Sequence, residues 1–243
     1  MKYWIDGFFM AWGMFLRIPV PVNAWNENSR AKMLACFPLI GAMAGGVEIA
    51  AYYFFRWAPA GILALILCAV PWLVTGFMHL DGFMDVCDAV LSSRKLERRR
   101  EILKDSHCGS FAVISMVLLA LAQWSAFFSA AEIKPFVLLM IPVCTRACAY
   151  FALSLIKPMD CSQYAGMKRD KTATVVCAVF LALSITLPVF TSGLTGLAVV
   201  GSGLVYALAC LWGCRNLGGI NGDISGFALS LGEMAGYLLM AVI

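Results

Sequence analysis

The sequence predicts an all-α, polytopic integral membrane protein, a bundle of six to eight membrane helices with an Asp-rich site facing the cytoplasm. Three observations carry this reading. Of 243 residues, 62% are hydrophobic and only 13% charged, about half the charged share of a soluble domain; mean hydropathy is +0.85. Several apolar stretches reach the ~20 residues that a spanning helix needs. Lys and Arg gather in alternate connections instead of spreading evenly.

Taken in order, the strong spans fall near residues 37–54, 61–77, 111–131, 136–156, 175–190 and 194–212. Two terminal segments, 7–16 and 227–243, are short for spans and could be re-entrant or interfacial, which sets the range of six to eight. Gly41 and Gly45 form a GxxxG pair, a pattern that lets helix backbones approach closely. The basic connections are 17–32, 94–104 and 157–171, and the short connections between them hold only Arg56 and Lys134. Successive basic connections are two spans apart. The positive-inside rule then places them in the cytoplasm, with the protein multi-pass in the cytoplasmic (inner) membrane.

Residues 94–105 are rich in charge and helix-prone, and read as a helix lying on the membrane interface among lipid headgroups. No linker divides the chain, so residues 1–243 are expected to form one integral membrane catalytic domain, with room for a homo-oligomer. The N-terminus lacks the pattern of a cleaved signal peptide. Ten cysteines include no CxxC pair; most lie in apolar helices, where a thiol packs as a small hydrophobe. No basic and aromatic interleaving points to nucleic acid.

The chemistry concentrates in His79-Leu-Asp81-Gly-Phe-Met-Asp85-Val-Cys-Asp88. At 100° per residue the three carboxylates sit at roughly 0°, 40° and 340°, one narrow stripe. Like charges at this spacing repel, and charge at the end of an apolar span is costly when unpaired. A cation is therefore expected. Mg²⁺ prefers carboxylate, water and phosphate oxygens and serves displacements at phosphorus, which makes Asp81, Asp85 and Asp88 candidate metal ligands. The alternative is a solvated helix end pairing with Arg94, Arg98 or Arg99. His79 points away from the stripe on a regular helix and is expected either to bind substrate or to make a structural hydrogen bond.

Further candidates lie elsewhere. Asp105 precedes a span and could fold back to the stripe, or be an ordinary helix-end acid. Asp223 sits in the glycine-rich stretch 218–226, where Gly222 would admit a ligand close to the backbone; a plain turn is the other account. Arg146 lies inside an apolar span, where an Arg is either functional or paired. Substrate phosphate is the expected partner and a structural acid the alternative, with Glu48, also deep in a span, as one such acid. Arg98 and Lys104 belong to a basic run that would meet lipid headgroups or nucleotide phosphate.

These segments together resemble the cobalamin synthase family of adenosylcobinamide-GDP ribazoletransferases. The resemblance rests on His79-Leu-Asp81-Gly82-x-x-Asp85-x-x-Asp88, on Arg98, and on Lys104-Asp105-Ser106-x-x-Gly109. Arg17-Ile-Pro19-Val-Pro21, Phe37-Pro38-Leu-Ile-Gly41, and Gly218-Gly219-x-x-Gly222-Asp223-x-x-Gly226 followed by Glu233 extend it over essentially the whole chain. It departs from the family's pattern at His107, Asn221 and Ser230, and more loosely over 157–166.

The resemblance implies a magnesium-dependent enzyme. Adenosylcobinamide-GDP and α-ribazole or its 5′-phosphate would be joined, GMP released and the cobalamin nucleotide loop completed. Asp81, Asp85 and Asp88 would hold Mg²⁺; Asp105 or Asp223 would complete the metal shell or take the hydroxyl proton; Arg98, Lys104 and Arg146 would steady phosphate, with His79 and Gly222 on the substrate side. A lipid-synthesising CDP-alcohol phosphotransferase would need an Arg spacing that is missing after Ala89. An ion-coupled transporter would concentrate its acids inside spans.

Overall fold

The computed structural model describes residues 1–22, 25–160, 162–164 and 170–243. Residues 23–24 of the first basic connection, and Cys161 with 165–169 of the third, lie outside the described residues. Among the described residues eleven α-helices follow one another: α1 Lys2–Phe15, α2 Arg30–Ala35, α3 Phe37–Phe55, α4 Ala60–Val74, α5 Met78–Leu91, α6 Leu96–Ile102, α7 Ser110–Ser129, α8 Pro135–Leu155, α9 Lys171–Ser192, α10 Leu197–Leu217 and α11 Gly222–Val242. Five apolar helical segments reach membrane length, namely α3, α7, α8, the run Lys171–Leu217 and α11; they become six if α4 and α5 form one broken span. The protein is an all-α, multi-spanning helical bundle.

Several boundaries differ from those read in the sequence, among them those of α1, α9 and α10 by up to five residues, and two of the differences position the site. The span expected over 61–77 stops at Val74, and α5 leaves it at 93°. Gly76 and Phe77 both take a left-handed conformation, φ 63°, and two such residues cannot continue a right-handed helix. The Asp stripe therefore rides on its own helix. At the other end, α11 begins at Gly222, five residues before the expected segment, because the Asn221 side chain accepts a hydrogen bond from Ile224 N at 3.0 Å and caps the helix. That brings Asp223 into a first helical turn, where the helix dipole favours a negative charge.

Close helix contact is made by small residues. A Cβ on Gly41 would run into the Pro142 carbonyl and meet Arg146 Cδ at 2.9 Å; on Gly45 it would meet Leu139 Cα at 3.1 Å. The GxxxG face of α3 thus sets its approach to α8, where packing rather than water exclusion holds helices together. Gly82 plays the same part between α5 and α11, since a Cβ there would lie 2.8 Å from Asp223 Cα.

The basic connections gather at one end of the bundle. Lys32 pairs with Asp170 at 2.5 Å, and Arg30 donates to the Gln163 carbonyl at 2.6 Å. Arg100 of α6 donates to the Leu217 carbonyl at 2.8 Å, and Arg99 to Asn216 at 2.8 Å. Met159 N and Ile220 O (2.9 Å), with Ile220 N and Lys157 O (3.0 Å), tie the end of α8 to the end of α10. At the far end, Trp124 donates to the Gly61 carbonyl at 3.1 Å.

Candidate active site

The acidic residues fall into two groups with opposite character. The first lies where α5 crosses the start of α11. Asp81, Asp88 and Asp223 are all close enough to act electrostatically on the Asp85 carboxylate. Asp81 is exposed, and Asp85, Asp88 and Asp223 are half-buried. Asp223 accepts a hydrogen bond from the Asn221 amide at 2.7 Å. Among the described residues, none of the four carboxylates has a Lys, Arg or His partner within ion-pair distance. Gly109, just before α7, comes against the Asp88 carboxylate so closely that a Cβ would collide with both oxygens. The loop before α7 thus folds back onto the end of the stripe.

Asp105 in that loop does not turn toward the stripe. It accepts from His107 through the backbone N–H at 3.0 Å and faces the imidazole Nδ1 at 2.6 Å. Those bonds hold its carboxyl below the usual range. Arg98 is exposed and paired with Glu101 at 2.7 Å, and Lys104 is exposed.

The second group is buried in the helix core. Arg146 is 1% exposed, bonded to Glu233 at 2.5 Å and to the Pro142 carbonyl at 3.1 Å, with its guanidinium over the Phe37 ring. Thr145 also reaches Glu233, at 3.3 Å. Glu48, fully buried, accepts from Tyr237 at 3.2 Å. The structure thus gives Arg146 an acid partner, and that acid is Glu233 rather than Glu48. The signal in the sequence is that charges inside spans commonly pair with one another, and Glu233 is a second acid inside an apolar segment.

A cavity opens beside the first group, at the basic end of the bundle. Its volume is about 110 Å³. Phe15, Phe37, Met78, Leu153 and Leu229 form apolar walls; His79, Gln163, Tyr164, Asp223 and Ser225 add polar groups. Gly222 also lines it, and a Cβ there would meet only Gln163 Nε2 at 3.7 Å, so the helix start stays open to a ligand. His79 sits on the face of α5 away from the stripe, beside Phe37 (5.9 Å) and Phe15 (6.3 Å). Its Nε2 is buried with no hydrogen-bond partner. Burial raises the pKa of Tyr164. The aromatic walls were not read from the sequence, because they come from segments far apart in the chain.

Among the described residues no three His, Cys, Asp or Glu side chains converge into a ready metal shell. The four carboxylates nonetheless offer hard oxygen donors with no cation to balance them. Mg²⁺ is commonly bound through one or two carboxylates, with waters and substrate phosphate completing its shell, so an open acidic face suits it better than a closed cage would.

Fold and site together describe a polytopic membrane protein with an open acidic face and a cavity at its basic end. The chain belongs to the cobalamin-5-phosphate synthase family, whose model matches residues 7–241. It is similar to the adenosylcobinamide-GDP ribazoletransferase of Clostridium botulinum (strain Alaska E43 / Type E3), 35% identical with 97% of each chain covered. The enzyme of the same name from Clostridium perfringens (strain 13 / Type A) is 34% identical over the full length of both chains, and that of Geobacillus kaustophilus (strain HTA426) is 32% identical over 96% of this chain and 94% of the relative. No solved structure matches.

Proposed function

We propose that the protein joins adenosylcobinamide-GDP to α-ribazole or α-ribazole 5′-phosphate, giving adenosylcobalamin or its 5′-phosphate and GMP. One observation carries the site assignment: Asp223 borders both the uncompensated acidic face and the cavity. A ribazole hydroxyl oxygen forms the new bond to the phosphorus attached to cobinamide. The P–O bond to GMP breaks, and GMP leaves with the electron pair. Asp223 takes the hydroxyl proton at its carboxylate; Asp105, held by His107 at the surface, is less suited. Asp81, Asp85 and Asp88 would hold Mg²⁺, which when bound supplies charge neutralisation on the diphosphate. Arg98 of α6 and Lys104 just after it would steady the diphosphate, and the open backbone at Gly222 borders the acceptor. Arg146 is engaged by Glu233 and acts as a structural residue.

The same reading sets the protein in the cytoplasmic membrane with its site on the cytoplasmic side, since the basic connections share the end that carries the site. The run Lys171–Leu217 would measure ~70 Å if straight, over twice the ~30 Å hydrocarbon core. Its two ends lie beside α2 and α8 at the basic end, so α9 and α10 are two passes. With the broken α4–α5 span this gives seven passes, and α1 lies along the interface.

The test is turnover by purified protein in liposomes. Adenosylcobinamide-GDP and α-ribazole phosphate should release GMP and yield a complete corrinoid only with Mg²⁺ present. No turnover by folded protein, with substrates verified on a relative of known activity, would reject the assignment.

A further inference from the structure

The cavity beside Asp223 carries a more specific reading, which rests on the reaction proposed above. A planar group entering it meets aromatic and aliphatic walls from Phe15, Phe37 and Leu229, with Gln163, Tyr164, Asp223 and Ser225 as polar lining. His79 is the polar group whose need is unmet, since Nε2 is shut from solvent without a partner. A buried polar atom left in this state is costly, and cavities with apolar walls and a few placed polar groups are how sites orient flat ligands.

Two planar bases take part in the reaction, and they differ in what they require. Guanine belongs to the leaving group, whereas Asp223, which lines this cavity, takes the proton of the acceptor hydroxyl in that reaction. A benzimidazole-type base is apolar except for one ring nitrogen outside the glycosidic bond, an acceptor for a single N–H. We propose that this cavity receives the base of the ribazole acceptor, and that the His79 imidazole donates a hydrogen bond to that free ring nitrogen. With the base seated there, the attached ribose projects past Asp223 toward the acidic face. His79 is then a specificity-determining residue. It reads the acceptor and takes no part in the bond changes.

The test compares α-ribazole phosphate with its indole counterpart, in which C–H replaces the free ring nitrogen at unchanged shape. Wild-type protein should show a KM lower by roughly fivefold to tenfold for the benzimidazole, the scale of one neutral hydrogen bond, with similar kcat. In His79→Phe, which keeps an aromatic ring beside Phe15 and Phe37, the KM ratio should fall to near one. Equal KM values in wild-type protein would overturn the proposal without any variant, so a His79→Phe that does not fold leaves it testable. A variant that keeps the wild-type ratio, or one in which only the KM for adenosylcobinamide-GDP rises, would also overturn it, the latter assigning the cavity to guanine. Absence of turnover with both acceptors in wild-type protein would instead reject the underlying reaction.

Discussion

The two acidic regions of this bundle lie close together and obey opposite rules. In the helix core, Arg146 is paired with Glu233, while Glu48 accepts one hydrogen bond from Tyr237 and keeps Oε1 without a partner. At the crossing of α5 and α11, four carboxylates face one another with no cation among the described residues. Charge compensated within the fold serves stability. Charge left uncompensated next to a cavity costs stability, and in the proposed function a bound cation would offset it. Motif resemblance alone would place Glu233 and Asp223 in one class; their partners separate them.

That contrast can be broken by substitution. The largest expected effect is on catalysis. Asp85→Asn should lower kcat by about 10²–10³, the scale for loss of one electrostatic element of a site, while the protein stays monodisperse in detergent with an unchanged or higher unfolding temperature. Relief of like-charge repulsion gives that second sign.

Glu233→Ala should do the reverse and act first on stability. Leaving the Arg146 guanidinium buried and unpaired costs about 3–5 kcal/mol, read as a lower unfolding temperature and poorer recovery from the membrane. The double variant Arg146→Met with Glu233→Leu should recover most of that loss. If Glu233→Ala is well folded but inactive, the division between the two regions is wrong.

Smaller still is Gly41→Val on the α3–α8 contact. A Cβ there meets the Pro142 carbonyl and the Arg146 stem, and overpacking of this kind costs about 1–3 kcal/mol. The corresponding change at Gly46, where a Cβ meets nothing within 4 Å, should be close to neutral, and the pair of melting curves checks both.

The smallest effect belongs to the basic end. Lys32, with bonds from Thr172 and Ala173, holds the Asp170 carboxyl well below the usual carboxylate range. A lowered folded pKa contributes stability that is present above the unfolded value of ~3.9 and lost as pH falls below it. Wild-type protein should therefore lose stability below about pH 4 more steeply than Lys32→Ala. The gap at neutral pH should be about 1 kcal/mol or less.

Some of this was legible in the sequence for plain physical reasons. Composition set the lengths of α3 and α8 to within about a residue, because a bilayer imposes the length. Periodicity put Asp81, Asp85 and Asp88 on one stripe, and the spacing of Gly41 and Gly45 announced a close helix contact. What escaped is what depends on tertiary placement. The turn at Gly76-Phe77 needs a left-handed Phe, which no propensity favours. The Arg146–Glu233 pair joins residues 87 apart in the chain. Tyr164, Phe15 and Phe37 come to one cavity from three separate segments, and nothing in any one of them signals the others.

The central claim is that the uncompensated acidic face, and not the buried one, holds a divalent cation. Mn²⁺ titration followed by electron paramagnetic resonance, on protein in detergent with a GDP-bearing substrate present, tests it directly. The account predicts saturable Mn²⁺ binding that Mg²⁺ displaces, weakened strongly by Asp85→Asn and little changed by Glu48→Gln. Binding that survives Asp85→Asn intact, or that is lost with Glu48→Gln instead, would contradict it.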